Sequence, residues 1–254
     1  MGQIANYLRR HPFPVMAWFE RVVAVSFAFP EDTLRPLVAR GLEIEAYEGL
    51  GFVTVAMVWT KNLRPAGFPV FLGQDFFLAG YRIFTRLSDG NRRLRGLKIV
   101  RSETDRRRMV WLGNLMTHYR YRYVNLRIQE ADGQMRVETS RADGTPTLDL
   151  TFASADEAAP LPEGSPFGDW RTARRFAGPM PFTFSAEDAD TFVVIEGSRQ
   201  DWVPRPVSVK QWRVGLFDET PFCGIKPILA NAFAVNGVSY RWKRGRIVRL
   251  GGAE

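Results

Sequence analysis

Alternating apolar and polar positions dominate this chain and predict mostly strands. RVVAVSFAF (21–29) is β-branched and aromatic with no breaker, which predicts a buried strand. Pro30 ends it, and EDTLRPLVARG places acids early, Leu34, Leu37 and Val38 on one face, and Arg40 and Gly41 at its close. That is a short helix, limited or kinked by Pro36. LEIEAYEGLGFVTVAMVWT predicts two strands hairpinned at 48–51, the second apolar on both faces. KNLRPAGFPVFLG follows as a Pro/Gly loop of the length found in lids and binding loops. QDFFLAGYRIFTRLS and RRLRGLKIVRS are strands joined at SDGN, where Asp-Gly signals a hairpin. ETDRRRMVWLGN is helix-like, with Ser102 or Thr104 as N-cap and Gly113 at its end.

The stretch 106–128, RRRMVWLGNLMTHYRYRYVNLRI, then alternates Tyr with Arg. Read as one strand, it puts Thr117, Tyr119, Tyr121 and Tyr123 on one face. The other face carries His118, Arg120 and Arg122 followed by Val124, Leu126 and Ile128, a polar end passing into an apolar one. A strand running from a cavity mouth into a core has that pattern. Beyond it, QMRVETSR and TPTLDLTFAS pair through the Asp-Gly at 143–144, AAPLPEGSPFG is a loop, and DWRTARRF is a basic helical turn. TFVVIEGSRQ and PRPVSVKQWRVGLF are further strands, KPILANAFAV reads as a helix, and VSYRW and RIVRL as a closing hairpin around KRGR. About ten strands with a few short helices predict a mainly β (α+β) fold, a closed antiparallel barrel. The 254 residues are taken as a single domain: an N-terminal arm (1–18) lying across the outside, a β-barrel core (19–216), and a C-terminal helix and hairpin packed on it (217–254).

Composition adds few exclusions. No apolar run reaches the roughly 20 residues of a membrane-spanning helix, and the N-terminus lacks a signal-peptide core, so the expectation is a cytoplasmic protein. One cysteine and two histidines leave no thiolate cluster and no histidine-rich metal site, so no metal and no cofactor are expected. Cys223 reads as a small buried apolar residue. The net charge of +8 is concentrated: residues 82–127 hold 13 Lys or Arg against 3 acids. Such a field favours anionic partners.

FAFPEDTLRPLVARGLEIEAYEGLGFVTVAMV, the later FFLAGYRIFTRL, and the helix before the 117–128 stretch resemble, over residues 18–215, a family of bacterial proteins of unknown function distantly related to acetoacetate decarboxylase. The resemblance implies a cone-like antiparallel β-barrel with a central cavity and a homo-oligomeric assembly. Acetoacetate decarboxylase-like enzymes form a Schiff base through a lysine in a Pro-Lys-Lys stretch, and the matching positions here are Met116, Thr117 and His118. Without an amine there, the imine route is closed. Arg21 matches an arginine that the family places near substrate, while KNLRPAG supplies no acid in place of the family's catalytic glutamate. Lys98, near Arg82 and Arg86 on adjacent strands, is the one substitute amine with a setting that would depress its pKa.

Two functional readings follow. The first is a small anionic ligand of keto acid type in the cavity, possible lyase- or isomerase-like chemistry included. In it His118 and Lys98 are the catalytic candidates, and Arg21, Arg82, Arg120, Arg122, Tyr119 and Tyr121 contact the ligand. The second is nucleic-acid binding through the Arg/Tyr strand 118–123, although no nucleic-acid motif accompanies it. Membrane-surface association through RRRMVWLG is weaker, its apolar positions covering barely one helical turn.

Overall fold

A computed structural model describes residues 2–155 and 159–250. Its centre is three long antiparallel strands, β1 (Val15–Pro30), β3 (Leu50–Pro65) and β4 (Gln74–Asp89), with β5 (Arg92–Thr104) joined to β4 by the tight turn at Gly90. Gly90 has φ +58°, the conformation that the Asp-Gly turn needs. From β5 the sheet continues to β10 (Phe182–Ala186) and β11 (Thr191–Arg199). From β1 it continues to β13 (Ile228–Trp242). Because β11 also pairs with β13 at Gly197–Trp242, Ser198–Arg241 and Arg199–Tyr240, these seven strands hydrogen-bond in a ring. The ring is not antiparallel throughout: β10 and the short β6 (Tyr121–Tyr123) each run parallel to β5.

Both faces of the central strands are buried, as expected of β3. One face carries Val23, Phe27, Val55, Met57, Ala79 and Tyr81 into the largest core. The opposite wall of that core is the sheet of β7 (Asn125–Ala131), β8 (Gln134–Ser140), β9 (Pro146–Ser154) and β12 (Arg205–Val214). The other face looks into the ring. There α4 (Trp170–Ala177) packs Ala173 and Ala177 against Phe52 and Phe84 and plugs one end. Helix α3 (Arg107–Met116) lies at the other. No helix among the described residues is long and apolar enough to cross a membrane.

Several sequence expectations need correction. KPILANAFAV is not a helix: from Ile228 it forms the first half of β13, which pairs with β1 along its length, and its backbone completes the ring. Position in the sheet overrides alanine's helix preference. The C-terminal segment is thus a wall of the ring, not an addition to it. VSYRW and RIVRL do not form a hairpin either, because β14 (Arg246–Arg249) pairs with β11. The strand β2 (Leu42–Ile44) pairs with β4 instead of β3. β10 has no counterpart among the expected elements, which pass from the basic helical turn at 169–176 to the strand at 191–200. The arm contains a helix, α1 (Gly2–Arg9), and gives way to β1 at Val15. The helix at 31–37 is short, as Pro36 requires, passing from α2 (Glu31–Leu34) to a 3-10 turn. The first residue of the loop predicted over 158–168 lies outside the described residues. Cys223 is exposed.

Candidate functional site

Alternation along β4 sends Phe77, Ala79, Tyr81 and Ile83 into the large core and leaves Leu78, Gly80, Arg82 and Phe84 facing the ring interior. A bulge in the β4–β5 ladder falls between Tyr81 and Arg82, a common device for aiming a side chain at a site. Gly80 makes room for the result: a Cβ there would sit 3.0 Å from Arg82 Nε and 3.2 Å from Nη2, so the guanidinium lies against bare backbone.

The interior holds two adjoining chambers. The inner one has a volume of about 110 Å³ and receives a side chain from every strand of the ring: Val22, Val58, Arg82, Ile99, Thr183, Arg199 and Tyr240. The outer one, about 180 Å³, opens under α3 between the arm and the end of β3. Arg82, Tyr119 and Tyr121 line both. Arg82 Nε is buried without a hydrogen bond, and among the described residues no carboxylate pairs with this arginine. Burial draws its pKa down, and its electrostatic neighbours are the tyrosines 240, 119 and 121. The Tyr119 hydroxyl, beside Thr183, and the Trp202 indole N–H are also buried without a hydrogen bond of proper geometry. Burial pushes the Tyr121 hydroxyl up to about 12 and the Tyr119 hydroxyl higher still, so both stay protonated donors. Arg199, by contrast, is occupied: it stacks over Trp202 at 4.9 Å and donates to the Pro179 carbonyl at 3.3 Å.

The segment carrying the two tyrosines is not a strand before Tyr121. Asn114 Nδ2 donates to the Tyr121 carbonyl at 2.9 Å and its Oδ1 accepts from the Tyr121 N–H at 2.8 Å, a side-chain amide imitating a strand neighbour. Thr117 Oγ1 donates to the Gly113 carbonyl at 2.8 Å, and Arg120 turns the chain with φ +54°. The Tyr121 ring rests directly on Gly113 inside α3, closer than any Cβ would permit. Gly113 is therefore a packing position and not the helix end. Gly113→Val is expected to lower stability by about 1–3 kcal/mol through overpacking and to displace the Tyr121 ring, read by urea denaturation and by tyrosine fluorescence.

Of the residues singled out in the sequence, the structure brings Arg82, Tyr119 and Tyr121 together at the chambers. Leu97 and Ile99 line the inner chamber, which turns Lys98 between them to the outside of the ring. Burial and then the Arg120 charge lower the pKa of Lys98. His118 is likewise absent from both linings; its charged surroundings are Arg9, Arg10, Lys98 and Glu187, and its Nε2 is buried without a hydrogen bond. Arg120 and Arg122 are exposed. Arg21 lies in a separate cleft, donating to Glu130 at 3.2 Å and standing over Trp59.

His11, like Thr183, Arg199 and Tyr240, is a lining residue that no sequence pattern singles out. His11 and its neighbours Pro12, Phe13 and Val15 wall the outer chamber, so the arm does not lie across the outside of the fold. His11 is buried in a left-handed conformation (φ +55°), and its Nδ1 is 3.1 Å from the Lys243 carbonyl. A carbonyl only accepts, so Nδ1 carries the proton and neutral His11 keeps its lone pair on Nε2. Two prolines flank this stretch and the partner is 232 residues away, which leaves no local signal.

Burial lowers the pKa of both His11 and His118. The unfolded chain takes up these protons near pH 6.5 and the native chain only below that, so stability is retained above about 6.5 and falls as the pH drops toward 5. Glu103, held above its ordinary range chiefly by burial, works with the opposite sign nearer pH 4.5 and above. Unfolding free energy measured from pH 7.5 to 5 is expected to decline, and His11→Gln with His118→Gln to flatten the decline.

With this geometry in view, the comparisons with known proteins are consistent. The model of the DUF2071 family, described as an uncharacterized conserved protein, matches residues 16–235. No curated protein matches the sequence. Among solved structures, the enduracididine biosynthesis enzyme MppR complexed with pyruvate is similar at 12% identity and TM-score 0.59, covering 94% of this chain and 91% of that one. An acetoacetate decarboxylase-like enzyme from Sphingomonas wittichii RW1 gives 13% identity and TM-score 0.60, with 94% of each chain covered. Acetoacetate decarboxylase from Legionella pneumophila gives 10% and 0.62, covering 93% of this chain and 88% of that one. The chain belongs to the DUF2071 family, and its mainly β fold is that of the acetoacetate decarboxylase-like enzymes.

Proposed function

We propose that this protein binds a small organic anion inside the ring, and acts on it there, with Arg82 as the counter-charge. The observation that carries the reading is a half-buried guanidinium at the junction of two chambers, its Nε buried without a hydrogen bond and no carboxylate paired with it among the described residues. An unpaired charge partly withdrawn from water is costly, and a fold retains it where a ligand completes the pair. Tyr119 and Tyr121 supply protonated hydroxyls beside it. In this reading the ring is the cone-like barrel of the acetoacetate decarboxylase type, within a cytoplasmic homo-oligomer.

Imine chemistry is not part of the proposal. At the positions matching the family lysine, Met116 and Thr117 line the outer chamber, and neither lining contains a lysine among the described residues. His11 replaces His118 and Lys98 as the group we assign to proton transfer, because its neutral Nε2 belongs to a ring that walls the outer chamber. Nucleic-acid binding loses most of its stacking platform: Tyr119 and Tyr121 turn inward while Arg120 and Arg122 are exposed, and the half-buried Tyr123 is already covered by Arg107 at 4.4 Å.

A thermal-shift screen of the full chain against organic acids tests the proposal. A midpoint that rises with the logarithm of carboxylate concentration in the wild type, and not in Arg82→Met, is the expected result. Equal shifts in the two would refute it.

A further inference from the structure

The two chambers differ in chemistry, and the difference specifies an occupant. The outer chamber is walled mainly by carbon: Phe13, Val15, Phe19, Leu63, Phe76 and Met109. Its one other arginine, Arg64, is committed to backbone, donating to the Phe68 and Asn62 carbonyls at 3.0 Å each. The inner chamber is lined by Ser102, Thr183 and Tyr240 together with Arg82.

Resting on the reading above, we infer that the ligand is a monocarboxylate with an apolar tail. Its head lies on Arg82 at the inner chamber and its tail fills the outer one. The free donors argue for a single carboxylate head. Arg82 has an Nε with no partner, whereas Arg199 keeps its charge but is held by the Pro179 carbonyl and the Trp202 ring, so one carboxylate finds an open guanidinium fork and a second anionic group finds none. A planar guanidinium matches the two oxygens of a carboxylate. The outer volume of about 180 Å³ fixes the tail. An apolar cavity of ~150 Å³ is filled by benzene, so the chamber takes a phenyl ring or a chain of about six carbons.

Titration calorimetry of the full chain with straight-chain monocarboxylates from acetate to dodecanoate, and with the alcohol of each length, tests this. Dissociation constants are expected to fall about fourfold per added methylene until the tail fills the chamber, then to level or rise. The alcohols are expected to bind far more weakly. Met116→Phe, which narrows the chamber, is expected to shorten the optimum by two or three carbons, and Leu63→Ala to lengthen it; agreement of either with its direction suffices if the other fails to fold. Acetate and succinate binding as tightly as octanoate, with Arg82→Met abolishing all three, would overturn the tail and leave the anion site standing. Binding that ignores Arg82→Met, or no binding by any acid, would overturn both.

Discussion

Arg82→Met loses carboxylate binding by about a hundredfold or more and, at the same time, leaves the unliganded protein about 1–3 kcal/mol more stable. The two effects share a cause. The guanidinium is partly withdrawn from solvent without gaining a carboxylate, and its buried Nε makes no hydrogen bond. Methionine keeps a similar volume and removes the unpaired charge, so the cost of enclosing it disappears. The ligand loses the guanidinium it pairs with in the process. Urea denaturation of both proteins measures the first effect, provided the slope with denaturant is unchanged, and calorimetry the second. A destabilised variant would mean that Arg82 serves the fold and not a ligand.

Glu45→Ala is expected to lower stability by about 2–4 kcal/mol without abolishing binding. Glu45 follows β2 and is 1% exposed. It accepts from Arg86 Nε and, at 2.6 Å, from Arg86 Nη2; Arg95 Nη2 and Nε reach the same carboxylate at 3.1 and 3.2 Å. Arg95 also donates to the Arg175 carbonyl near the end of α4, so the cluster ties the β4–β5 hairpin to the plug of the ring. Burial pushes the Glu45 carboxyl up, but the two arginines outweigh it and hold it below its ordinary range. Alanine leaves two arginines facing each other, and only their position about a third exposed to water moderates the loss. The stabilisation is present above about pH 4.5 and is lost as the pH falls through the lowered native value, so the variant and the wild type are expected to converge in acid. Denaturation midpoints at pH 7 and pH 3 check this.

What could be read from the residues alone followed from period and turn chemistry. The β4–β5 hairpin and its register come from an Asp-Gly between two alternating runs, and the same alternation places Arg82 opposite Tyr81. Tyr119 and Tyr121 share a face, as read, but for a different reason. The period-two pattern at 117–120 belongs to a turn shaped by Asn114, Thr117 and Arg120, so it placed Tyr119 and Tyr121 together and gave the wrong neighbours for His118. Ring closure was hidden because it depends on pairings nearly as far apart as the chain is long: β1 with β13, and β11 with β13. The alanine-rich start of β13 shows helix preference locally and strand geometry only within that closure. The large basic excess likewise dissolves on folding: most arginines of 82–127 lie outside the chambers, and one of them, Arg82, is the enclosed cation.

Nitrogen-15 NMR of the Arg82 Nε–H group is the most direct test of an anion site inside the ring. With the signal assigned by its absence from Arg82→Met, titration with hexanoate is expected to move it downfield, saturably, as the unbonded N–H gains a carboxylate oxygen. A signal that stays fixed while calorimetry records hexanoate binding would place the anion elsewhere and contradict the account.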